Sequence, residues 1–127
     1  MLVNIYHQCY QELAQKLKQL QEIAATNSPD TTNLRQACLE VQEFFQQQVV
    51  SLDTVDVTGS DAAKVRSYQT EISKQLRILG MDVIFLQGAR QPETVRTRQM
   101  QLSDRLKTLQ GYCEVILQLI PPQPENS

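Results

Sequence analysis

Between Val95 and Ile120 the chain places core-type residues at alternating steps of four and three: Val95, Gln99, Leu102, Leu106, Leu109, Cys113, Ile116 and Ile120. Such steps average ~3.5 residues, which holds one face of an α-helix against a partner, whereas a strand requires alternation every second residue. A helix with one apolar face is not stable alone in water, because most helical stability comes from burying that face. The rest of the chain must therefore supply the cover, and one polar residue, Gln99, interrupts the stripe.

Three further segments offer that cover. The first carries Ile5, Cys9, Leu13, Leu17, Leu20 and Ala24, and the second Leu34, Cys38, Val41, Phe45 and Val49. The third carries Val65, Tyr68, Ile72, Leu76, Leu79, Val83 and Leu86, within a helix that from about Ser60 to Gln87 spans about 40 Å at ~1.5 Å per residue. Punctuation separates the four. The first helix runs from about Leu2 to Ala25 and stops at Asn27-Ser28-Pro29-Asp30, where the proline disfavours helix in the residue before it. Thr31 or Thr32 is expected to cap the second helix, from about Asn33 to Val50. The β-branched and polar stretch from Ser51 to Gly59 forms a crossing loop, Ser60 or Asp61 caps the third helix, and Gly88 ends it. Pro92 suits the first turn of the fourth helix with Glu93 at its positive end, and Pro121-Pro122 stops it after Ile120. The expected fold is all-α: an antiparallel up-down-up-down four-helix bundle spanning residues 1–120, with the third and fourth helices longest. Residues 121–127 form a proline-rich tail too polar to order itself.

The 127 residues suit one domain, and 4 Gly with no Trp agree with a helical chain of few tight turns. The opening MLVNIYHQCYQEL lacks the charged-then-apolar layout of a secretory signal, and no uninterrupted apolar run is long enough to span a bilayer, so a cytoplasmic protein without membrane insertion is expected. A net charge of −2 argues against nucleic acid as a partner. The total hides an asymmetry: residues 1–63 hold 3 Lys/Arg against 8 Asp/Glu (net −5), and residues 64–127 hold 9 against 6 (net +3).

Chemistry is sparse. His7 is the only histidine, the three cysteines include no CxxC pair, and no Glu-x-x-His, glycine-rich phosphate loop or serine elbow is present, so neither enzyme activity, metal nor cofactor is expected. Cys9 and Cys113 fall at a similar level of neighbouring helices, where ordinary small core residues compete with a redox pair. The carboxylates, Asp82 and Asp104 among them, are read as solvated faces. Two stretches carry more apolar surface than one stripe needs: Met81–Leu86 and Val115–Ile120. Each is either a packed end of the bundle or an interface with a partner or a second copy. Arg90, Arg96 and Arg98, with Arg77 behind them and Arg105 and Lys107 further down, gather near the turn between the third and fourth helices. Arginine forks bind carboxylates bidentately, so the candidates for contact with a protein partner are Arg90, Arg96 and Arg98, with Ile84 and Phe85 as apolar anchors.

The opening MLVNIYHQCYQELAQKLKQLQ, the segment QLRILGMDVIFLQGARQPETVRTRQMQLSDRL and the overall length resemble the cyanobacterial PatD family of heterocyst frequency control proteins, over nearly the whole chain. The resemblance implies a small cytoplasmic regulator that binds the tubulin-like division protein FtsZ and influences how often cells become heterocysts. It assigns no binding residue. The alternative from the residues alone is a structural homodimer or helical adaptor whose apolar ends pair with themselves.

Overall fold

The computed structural model describes residues 2–26, 30–50 and 59–119. They form α1 (Leu2–Ala24), α2 (Thr31–Phe44) continued by a π-helical turn (Phe45–Val50), α3 (Gly59–Gly88) and α4 (Pro92–Leu119). Each helix packs on the next and α1 closes onto α4, which makes the four-helix bundle expected from the stripes, with α3 and α4 longest. The connection 51–58, the turn residues 27–29 and the tail 121–127 lie outside the described residues. No helix of the described residues is long and apolar enough to cross a membrane.

The α2 stripe Leu34, Cys38, Val41, Phe45 and Val49 is buried as expected, and the α4 stripe is buried from Leu102 through Leu106, Leu109 and Cys113 to Ile116, with Val95 and Gln99 half-buried and Ile120 outside the described residues. Two successive four-residue steps, Val41 to Phe45 to Val49, would drift off the face of an ordinary α-helix. The π turn that begins at Phe45 is wider and rotates less per residue, so both side chains stay in the core.

In α1 the phase differs from expectation. Tyr6 and Tyr10 are buried, Ile5 is exposed and Cys9 is only half-buried. The buried set Tyr6, Tyr10, Leu13, Leu17, Leu20, Ala24 keeps the alternation of four and three without a break. The seam thus follows the seven-residue repeat rather than the more aliphatic neighbours, and the two phenol rings bring more area into the core. On α3 the expected Tyr68 is half-buried and packs against the core, with Gln69 half-buried beside it. Tyr68 also meets Tyr112 of α4, ring centroids 5.6 Å apart.

The helix starts also shift. Asp30, not Thr31 or Thr32, caps α2: its backbone is extended and its carboxylate accepts from the Asn33 N–H at 3.1 Å. Helix α3 begins at Gly59, so Asp61 stands in the first turn beside the positive end of the helix. Gln99, the polar break in the α4 stripe, donates to the carbonyls of Ala24 (3.3 Å) and Thr26 (3.0 Å). It satisfies acceptors that the end of α1 leaves without helical partners.

Candidate functional site

The bundle has two kinds of seam. Between α1 and α4, the Gln110 side-chain amide donates to Oε1 of the Gln21 side chain, and the Gln21 amide donates to the Ser103 hydroxyl at 3.4 Å. Between α3 and α4, Arg105 pairs with Asp82 and donates to Gln75 at 2.6 Å. Asp82 is the one buried charged residue among the described residues, not part of a solvated face, and the ion pair removes Arg105 from the basic cluster expected at this end. A carboxylate taken from water requires such a partner, because desolvation alone would make it unstable.

With Asp82 and Val83 turned inward, Met81, Ile84 and Phe85 face outward on α3, 50%, 54% and 45% exposed. The packed-end reading therefore fails for Met81–Leu86, where only Val83 and Leu86 join Asp82 in the interior. It holds better at the other end, where Leu117 and Leu119 pack partly buried against the core.

The arginines do not form one cluster. Arg98 lies over the Phe85 ring, 4.7 Å from its centroid, and its Nη1 donates to Gln101 at 3.1 Å. Arg96 instead lines a shallow depression with Ala24, Thr26, Gln99 and Met100 on the α1 side. Arg90 is exposed in the short connection between α3 and α4. Residues two apart on a helix stand about 200° apart, so Arg96 and Arg98 could not share a face. Of the expected candidates, Ile84, Phe85 and Arg98 come together on the α3 side, while Arg96 is turned away.

Ile84 also belongs to a groove between α2 and α3 that sequence reasoning missed. Its mostly apolar walls include Leu39, Met81 and Ile84, and Arg35 and Arg77 stand at its rim. Its volume is about 230 Å³, below the ~300–1,000 Å³ of pockets that hold small ligands. Leu39 is 45% exposed. Close helix approach shapes the floor: Gln42 Nε2 donates to the Leu76 carbonyl at 2.8 Å, and a Cβ on Gly80 would stand 3.0 Å from that nitrogen. The signal was in the sequence, since Arg35 and Leu39 on α2, and Arg77, Met81 and Ile84 on α3, repeat at helical spacing outside the core stripe.

The cysteines are free thiols. Burial, with a smaller contribution from Asp82, pushes the Cys38 thiol up to about 11. Burial, then Glu114, pushes Cys113 up to about 12, and burial, then Glu12, raises Cys9. Reactive thiols are ionised ones in electropositive surroundings, and these are the reverse. Cys9 donates to the Gln48 carbonyl at 3.5 Å. Among the described residues no group of three His, Cys, Asp or Glu could hold a metal ion. Comparison with family models, with curated proteins and with solved structures gave no match.

Proposed function

We propose that this chain is a non-enzymatic regulator that acts in the cytoplasm by binding FtsZ, modulating its assembly and thereby the frequency of heterocyst differentiation. The observation that carries the interaction reading is the exposed row Met81, Ile84 and Phe85, capped by Arg98, on a helix locked from behind by the Asp82–Arg105 pair. Apolar residues exposed on a packed helix, with an arginine stacked beside an aromatic ring, have the composition of a contact hot spot. FtsZ as the partner rests on the resemblance to the PatD family. Binding would shift FtsZ assembly only by the difference in affinity for its assembled and unassembled states.

Sedimentation of purified FtsZ with and without the chain, scoring co-pelleting and polymer yield, tests the proposal. Co-pelleting or a changed yield, lost in Phe85→Asp, is expected; neither change at high concentration would refute it. The same exposed row also fits the alternative of a structural homodimer. A dimer in dilute solution that dissociates in Phe85→Asp would favour that reading.

A further inference from the structure

We infer that the groove between α2 and the C-terminal part of α3 binds an acidic amphipathic segment of a protein partner, seating an apolar side chain against Leu39, Met81 and Ile84 and carboxylates on Arg35 and Arg77. This rests on the reading of the chain as an interaction protein, but not on FtsZ being the partner.

The size of the cleft sets the first limit. About 230 Å³ accommodates one or two side chains rather than a cofactor. Its walls are mostly apolar, and no carboxylate lines it. Among the described residues neither Arg35 nor Arg77 has an ion-pair or hydrogen-bond partner, while Glu40 accepts from Gln36 on another face of α2. Two arginine forks at the rim of an apolar cleft favour an occupant whose apolar residues are bordered by carboxylates, because guanidinium groups pair bidentately with them. The occupant can lie as a helix in a groove, with anchors three and four residues apart.

The charges also decide against a second copy of the chain. A two-fold interface centred on this groove would bring Arg35 and Arg77 toward the same residues of the other copy, placing like charges together. An acidic segment reverses that sign.

Fluorescence anisotropy with two labelled model peptides provides the test. Both are amphipathic helices with the same leucine face; one has a glutamate polar face and the other a lysine face. The glutamate peptide is expected to bind at least about tenfold more tightly, and the double variant Arg35→Glu/Arg77→Glu to reverse that order. Ile84→Asp should weaken binding of the glutamate peptide about tenfold while leaving helicity unchanged, because Ile84 is outside the core. Equal affinity for the two peptides, or an unchanged preference in the double variant, overturns the inference. So does a dimer that Ile84→Asp dissociates, which would make a second copy the occupant. FtsZ binding without peptide binding removes the groove alone, whereas peptide binding without FtsZ binding removes FtsZ as partner and retains the groove.

Discussion

The α1–α4 seam is bridged by side-chain amides, whereas the α2–α3 seam is open beside the C-terminal part of α3. On the closed side Gln21, Gln99 and Gln110 all have partners across the helices. On the open side Gln42 donates to the Leu76 carbonyl across the seam, and beside the C-terminal part of α3 Leu39, Met81 and Ile84 face water. Polar residues near a seam satisfy neighbouring backbone and side chains and so fix the pairing. Apolar residues left outside a seam add nothing to the bundle and are available to something else. The amides thus fix the α1–α4 pairing, while the α2–α3 side leaves Leu39, Met81 and Ile84 at the surface.

The largest test of that contrast sets the core against the open side. Leu106→Ala, which removes a fully buried side chain, should destabilise by about 3 kcal/mol, whereas Ile84→Ala should stay within about 0.5 kcal/mol; chemical denaturation measures both. An equal loss at Ile84 would mean that it belongs to the core. Next is the ion pair behind the exposed row. Asp82→Ala leaves Arg105 with Gln75 alone and should cost about 2 kcal/mol, less than for a fully buried pair because Arg105 keeps some contact with water.

A pH series sharpens the comparison at the thiols. Cys38 lies under the open groove, Cys113 in the closed core, and both have raised pKa values. A raised thiol pKa favours the neutral form in the folded state. Its stabilisation is full below the unfolded value of 9.0 and is lost as pH rises toward about 11 for Cys38 and about 12 for Cys113. At pH ~10 the loss should be about 1 kcal/mol per thiol, and Cys38→Ala/Cys113→Ala should flatten the alkaline fall in melting temperature. An unaltered slope would show that these thiols do not govern it.

Gln110→Ala on the closed seam should cost about 1 kcal/mol in thermal unfolding, the ordinary worth of a hydrogen bond. The smallest effect is expected at Gly80→Ala. Its new Cβ displaces the Gln42 amide at 3.0 Å, and loss of that bond offsets a gain of ~1 kcal/mol in helix propensity. In a Gln42→Ala background the same substitution should stabilise by about 1 kcal/mol.

Periodicity made the fold legible: four helices, close to their observed ends, with the α2 stripe residue by residue and the α4 stripe from Leu102 to Ile116. It misplaced the first two turns of α1 because Ile5 and Cys9 are more aliphatic than Tyr6 and Tyr10, while the seven-residue repeat favoured the tyrosines. Asp82 was taken for a solvated carboxylate because its partner Arg105 lies on another helix, 23 positions away. The arginine turn was half legible: Arg98, Ile84 and Phe85 do share the α3 side, but the opposition of Arg96 to Arg98 follows from helix geometry that a count of charges ignores. Each half of the groove, Arg35 with Leu39 and Arg77 with Met81 and Ile84, stands at helical spacing in the sequence, but that the two halves line one groove follows only from packing α2 on α3.

The most direct test of the open seam as the interaction face is chemical-shift mapping of labelled chain titrated with FtsZ. Perturbation is expected at Leu39, Met81, Ile84, Phe85 and Arg98, with the α1–α4 seam around Gln21 and Gln110 unmoved. Perturbation concentrated on α1 and α4, with the α3 row unaffected, would contradict it.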